Sequence, residues 1–289
     1  MQTRSNDRGS SGASTGTLSF VKLPTRFALP FASLFALMLV SCTTAQRAPQ
    51  LDDAQLVDLT YAFNERTLYW PNDPGTFRLE QRSHGHTEGG YFYSANTFSA
   101  PEHGGTHIDA PIHFAEGKRT VDQIPPRQLL APAVVIDVAA QSNNDPDYRL
   151  TVADVEAWEA KHGRIGAGTI VLLRTGWGSR YGDRKRYFGD DTPGATENLH
   201  FPSFGPEAAQ LLVEQRRVGA IGVDTPSIDY GQSRDFMVHR ISSRNDVPGL
   251  ENVANLHLLP ERGAWVIALP MKIENGSGAP LRIVAVLPR

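Results

Sequence analysis

Residues 103–113 read His-Gly-Gly-Thr-His-Ile-Asp-Ala-Pro-Ile-His, which places three of the chain's nine histidines and one carboxylate in a single short stretch. Pro111 and the two glycines disfavour a helix there. In an extended chain side chains alternate with a period of two, so His103, Gly105, His107 and Asp109 are expected on one face. On that reading Gly105 carries no side chain between the two imidazoles and leaves room for an ion. Two neutral imidazoles and a carboxylate suit zinc, manganese or iron(II). The stretch is therefore read as a metal site with His103, His107 and Asp109 as ligands. A catalytic centre keeps one coordination position open for water, and a second ion would need further donors. The downstream candidates are His239, in Asp235-Phe-Met-Val-His-Arg240, and Glu251, in Pro248-Gly-Leu-Glu-Asn252. A carboxylate in that apolar setting is costly without a cation, although spacing alone would also allow either residue to face solvent.

The elements that must position these groups are short. With 26 glycines and 20 prolines, the chain predicts many turns and brief strands rather than long helices. Alternation over Gln55–Thr60 predicts a strand, and further strands are expected at Phe77–Arg82 and Tyr91–Phe98. His84 and His86 fall in the connection between the last two and are read as solvent-exposed loop residues. The near-continuous apolar runs Ala133–Val138 and Thr169–Arg174 predict buried strands. Between them Thr151 caps a helix running to about Lys161, with Asp154 completing a capping-box pattern. Pro206 opens another helix, with Ala209, Leu212 and Val213 on one face. Val218–Val223, Ala264–Leu269 and Leu281–Leu287 read as later strands. The segment Tyr181–Phe204, polar and aromatic with many turn residues, is expected as a lid or rim over the site. Trp177, Tyr187 and Phe204 are expected to line its pocket. Trp70, beside Pro71, reads either as a packing anchor or as a ligand contact.

Composition narrows the partners. A formal net charge of −3 and no basic stripe argue against nucleic acid. Phe27–Val40 is an apolar run preceded by Lys22 and Arg26 and followed by Ser41-Cys42, the order of a secretory signal. It is short for a membrane span. Leu39-Val-Ser-Cys42 resembles the lipobox of bacterial lipoproteins, which implies lipidation of Cys42. Thr43 at the next position implies outer-membrane sorting towards the periplasm, with plain secretion as the alternative. Residues 1–50 are thus read as leader and polar tether, and 51–289 as one domain. Cys42 is the only cysteine, so no thiol remains for catalysis after processing. The exported part has no G-x-S-x-G elbow for a serine nucleophile.

The stretch His103–His113 also resembles the signature of the metal-dependent cyclase/hydrolase family, which includes bacterial kynurenine formamidase and isatin hydrolase. The likeness continues through Val57-Asp-Leu-Thr60, Tyr69-Trp-Pro71, Arg174-Thr-Gly-Trp177, Gly222–Asp229 and the late pair His239…Glu251-Asn252. It implies an α/β fold of the α/β/β swivelling type, with mixed sheets flanked by helices, assembled as dimers or tetramers. It implies one zinc on His103, His107 and Asp109 and a second on Asp109, His239 and Glu251, with Asp109 bridging; manganese is the alternative ion. It makes His113 the catalytic acid/base and Trp70 a substrate contact. The expected reaction is hydrolysis of an amide C–N bond, as in N-formylkynurenine or a related aryl formamide, by metal-activated water. A cyclic amide of the isatin type, or a lactone, is the alternative substrate. A lipoprotein that binds a metal or metabolite without turning it over is the rival of another class, but it would need neither Trp70 nor a histidine beyond Pro111. Asn72 replaces the glycine common after Trp-Pro in formamidases. It implies a different substrate wall, while the long Tyr181–Phe204 segment and the export signal are atypical of a cytoplasmic tryptophan-catabolic enzyme and make formylkynurenine itself a poorer match.

Overall fold

The computed structural model describes residues 54–288, and the leader with Cys42 lies outside the described residues. The chain enters on β1 (Ala54–Asp58), forms a hairpin of β2 (Arg78–His86) and β3 (Phe92–Ser99), and reaches the short strand β4 (His107–Asp109). Strands and helices then alternate: α1 (Pro126–Leu129), β5 (Leu130–Asp137), α2 (Ala139–Asn144), β6 (Arg149–Leu150), α3 (Val152–His162), β7 (Ile170–Arg174), α4 (Arg184–Phe188), β8 (Ser203–Phe204), α5 (Pro206–Gln210) and β9 (Ala220–Val223). The last elements are α6 (Met237–Arg244), β10 (Gly249–Glu251), β11 (Arg262–Pro270) and β12 (Gly278–Pro288).

Eight strands form one mixed sheet in the order β1-β12-β11-β5-β7-β9-β10-β4. β5, β7, β9 and β10 are parallel neighbours, and the other pairs run antiparallel. β12 is eleven residues long and serves more than one neighbour. Its first residues, Gly278–Pro280, pair with β4, while Leu281–Val286 pair with β11. The order therefore bonds back on itself, closing every strand except β1 into a barrel-like ring. The α/β class and flanking helices match the expectation, with one closed sheet at the centre.

Period-two alternation gives the barrel two apolar faces. Ala133 and Val135 of β5, Ile170 and Leu172 of β7, Leu250 of β10 and Ile283 of β12 belong to a cluster with residues from all seven ring strands, which is the interior. Val134, Ile136, Val171 and Leu173 face outward against Val155 and Trp158 of α3 and Ala208 and Ala209 of α5. Burial on both faces is why these runs lack polar alternation. α3 starts on the capping box Thr151–Asp154, and Trp158 Nε1 donates to the Val135 carbonyl at 2.9 Å. A third apolar cluster, Leu68, Trp177, Tyr187, Phe188, Leu199 and Phe201, packs beside Trp70.

The β2–β3 hairpin stands apart from the ring as its own two-stranded sheet. β2 continues past Arg82, so His84 and His86 are exposed strand residues rather than loop residues. Among the described residues no helix is long and apolar enough to cross a membrane.

Candidate metal centre

β4 and β10 pair with Glu251 opposite His107 and Gly249 opposite Asp109. Ile108 and Leu250 point into the barrel, so alternation puts His107, Asp109 and Glu251 on its outer face. On the other side Asp109 faces Gly278 of β12. Asp109 is thus flanked by glycine on both strands. A Cβ on Gly278 would stand 2.5 Å from His103 Cε1, so that glycine is what lets the His103 ring lie across the strand.

The continuous extended face expected from the sequence does not form. Gly105 is left-handed, with φ of +55°, and a Cβ there would lie 2.8 Å from the Phe63 ring and 2.9 Å from Thr67. Its missing side chain makes room for those residues, not for an ion. The turn at Gly104-Gly105, closed down on the Tyr69 ring, delivers His103 to Asp109 from outside the strand.

His239 comes from α6. Asp229 accepts hydrogen bonds from the backbone N–H groups of Val238 and His239, both at 3.0 Å, and from His239 Nδ1 at 2.6 Å. One carboxylate therefore fixes the helix start and turns the imidazole so that Nε2 faces Asp109. His107 is oriented by a carbonyl: its Nδ1–H donates to Gly105 O at 3.0 Å, and Asn252 Nδ2 donates to that same oxygen at 2.8 Å. Tyr187 in turn donates its hydroxyl to Asn252 Oδ1 at 2.8 Å.

These anchors leave electron pairs converging on one another. Asp109 Oδ1 lies 2.6 Å from His103 Nδ1 and 3.3 Å from His107 Nε2, whereas its Oδ2 lies 3.2 Å from His239 Nε2. Glu251 Oε1 is 3.2 Å from His239 Nε2, and its Oε2 is 3.4 Å from His107 Nε2. With their Nδ1 protons committed to Gly105 and Asp229, the free nitrogens of His107 and His239 face carboxylate oxygens, an arrangement that calls for positive charge between them, from an ion or from protons on the imidazoles. The donors form two trios, His103/His107/Asp109 and Asp109/His239/Glu251, whose ligand atoms lie within 4.8 Å of one another. Asp109 belongs to both and offers one oxygen to each.

The electrostatics agree. Burial opposes a charge on His107, yet Asp109 and Glu251 outweigh it and raise its pKa to about 9. His239 is likewise raised well above 6.5 against its burial, by Asp109, Asp229 and Glu251. Protonated imidazole here stands in for the positive charge the site is built to hold. His113 goes the other way. Burial pushes it down to about 4, and the neighbouring His103, His239 and His107 add to this against Asp109. Its ring stacks on His103 at 3.8 Å between centroids.

These groups form the floor of a cavity of about 350 Å³ with Leu68, Trp70, Phe114, Phe188 and Phe236 among its walls. Trp70 is held by edge contacts to Phe188 and Phe201, at 6.3 Å each. Of the Tyr181–Phe204 segment it is Phe188 that reaches the cavity. Trp177, Tyr187 and Phe204, expected as lining, are instead fully buried behind it, the first two in the third cluster and Phe204 under α5. Large aromatics in turn-rich sequence were here recruited to packing.

The cyclase family model matches residues 57–230. The chain is 39% identical over 208 residues to the isatin hydrolase of Roseibium aggregatum, covering 69% of this chain and 77% of that one. The chain belongs to the cyclase family. A crystal structure of an isatin hydrolase bound to the product analogue thioisatinate superposes with a TM-score of 0.75 at 34% identity, covering 82% of this chain and 94% of that one. The kynurenine formamidase of Salinibacter ruber is 26% identical over 230 residues, 79% of this chain and 96% of that protein. This family member is a metal-dependent hydrolase whose five clustered side chains could hold the ion. The clearest residue that sequence reasoning missed is Asp229. It closes the motif Asp224–Asp229 ten residues before His239, and a carboxylate ending a strand-end loop just ahead of a ligand-bearing helix was the available signal.

Proposed function

We propose that this chain hydrolyses an uncharged aromatic lactam of the isatin type, opening the ring at its amide C–N bond. The observation that carries this reading is the cavity lining. Its walls are mainly aromatic and apolar, no lysine or arginine lines it among the described residues, and Asp73 is part of the lining. N-formylkynurenine bears an amino-acid carboxylate, for which the described lining offers no lysine or arginine. A flat neutral lactam needs none, and isatin hydrolase relatives at 39% and 34% identity favour the same class. Lactam opening is hydrolysis of a carbon–nitrogen bond other than a peptide bond, the chemistry common to the named relatives.

When bound, a divalent ion supplies Lewis acidity, acidifying water and polarising the substrate carbonyl. We propose zinc on His103, His107 and Asp109, with Asp109, His239 and Glu251 available to a second ion, and manganese as the alternative metal. His113 is neutral at physiological pH because burial holds its pKa near 4. It accepts the proton of the attacking water and returns it to the departing ring nitrogen, so that water's oxygen joins the carbonyl carbon as the C–N bond breaks. Trp70 and Phe188 form a wall for the aromatic ring.

The test is metal content and turnover of the purified chain on isatin, an N-formyl arylamine, N-formylkynurenine and a lactone, before and after chelation. Chelator-sensitive opening of isatin, with kcat/KM at least about tenfold above the formyl compounds, is expected. Preference for N-formylkynurenine would overturn the lactam reading, and turnover untouched by chelation would overturn the metal.

A further inference from the structure

The ring of His103 is held from its far side by two residues that lie outside the ligand set. Ser277 Oγ is 2.9 Å from His103 Nε2. Ser277 in turn donates its hydroxyl proton to Glu102 Oε2 at 2.6 Å, and its backbone N–H to the same oxygen at 3.0 Å. A serine hydroxyl has one proton, and a carboxylate only accepts. Committed to Glu102, Ser277 Oγ can only accept from His103, which keeps the proton on Nε2. The other nitrogen, Nδ1, is thereby left to aim its lone pair at the position beside Asp109 Oδ1, 2.6 Å away. The backbone fixes the serine as firmly as the carboxylate does: Ala110 N–H donates to the Ser277 carbonyl at 2.8 Å, and the next residue, Gly278, pairs with Asp109.

We propose that Glu102 and Ser277 are positioning residues that set the tautomer and orientation of His103, and so the affinity of the first metal position. This rests on the metal reading above. The relay does for His103 what Asp229 does for His239 and the Gly105 carbonyl does for His107. Each ligand imidazole then has its distal nitrogen committed, by three different kinds of acceptor. Partners of this kind are worth about 10- to 100-fold in metal affinity.

The experiment is zinc competition against a chromophoric chelator on the full-length chain, with melting of the metal-free protein and the cobalt(II) absorption spectrum alongside. Ser277→Ala and Glu102→Ala are expected to weaken zinc binding about 10- to 100-fold and to alter the cobalt bands, with the metal-free melting temperature unchanged. Ser277→Thr keeps a hydroxyl and Glu102→Gln keeps an acceptor, so both are expected to stay near wild type. Zinc binding as tight as wild type in Ser277→Ala and Glu102→Ala would overturn the relay while leaving the metal centre standing. Equal losses in Glu102→Gln and Glu102→Ala would also overturn it, since the acceptor would then not be what matters. A wild-type chain that takes up no zinc would remove the metal reading and the relay together.

Discussion

His113 sits one turn beyond the ligands, in the short 3-10 turn Pro111–His113, with its ring flat against His103 and 6.0 Å from the ring of His239. That placement separates it from the donor trios while keeping it on the cavity floor. His113→Ala should therefore retain metal at the wild-type ratio and lose turnover by about a hundredfold or more. Metal analysis beside kcat reads both, and full activity in the variant would take His113 out of the chemistry. At this scale the sequence was most legible within one stretch: His103, His107 and Asp109 announce themselves by type and spacing. The residues that make the spacing work were not. Gly249 and Gly278 flank Asp109 from strands far along the chain, and nothing local marks either as the absent side chain beside a ligand. Gly105, which local reasoning assigned to the ion, serves Phe63 and Thr67 instead.

α6 carries its ligand because one side chain does two jobs. Asp229 caps the helix through Val238 and His239 N–H and holds His239 Nδ1. The two roles separate by substitution. Asp229→Asn keeps an oxygen for the Val238 N–H, but an amide nitrogen then replaces the oxygen that accepts from both His239 N–H and Nδ1–H. This variant should lose zinc affinity by about 10- to 100-fold and lose less metal-free stability than a variant with no cap at all. Asp229→Ala should show that loss and also destabilise the metal-free fold by about 1–2 kcal/mol. Chelator competition and denaturant melts measure the pair, and equal stability losses in both variants would refute the division. Elements defined by apolar runs or caps, such as β5, β7 and α3, could be located from sequence because burial and capping are written in neighbouring residues. Closure of the barrel could not. β4 is three residues long, and the pairing that completes the ring depends on β12 giving β4 the start of an edge whose remainder pairs with β1, opposite the edge that pairs with β11.

Folding gathers Asp109, Asp229 and Glu251 with His103, His107 and His239 into a nearly dry site, whereas the unfolded chain leaves each group in water. Without an ion, protons must supply the positive charge, and the stability of the whole molecule becomes linked to pH. His107 is raised from 6.5 to about 9 in the fold, and His239 is raised well above 6.5 against its burial. A raised histidine contributes stability that is complete below its unfolded pKa and is lost as pH rises through the folded value. The metal-free protein should thus lose melting temperature steadily between pH 6.5 and 9. Asp109 has the opposite sign: its burial is outweighed by His103, His107 and His239, its pKa falls well below 3.8, and its contribution disappears only in acid, outside that window. Metal binding must displace the imidazole protons, so the increment in melting temperature given by zinc should grow as the metal-free form weakens. Melting curves of chelated and zinc-loaded protein at pH 6.5, 7.5 and 9 measure both slopes. A metal-free form more stable at pH 9 than at pH 6.5, with a zinc increment independent of pH, would mean that these imidazoles are not the groups a cation replaces.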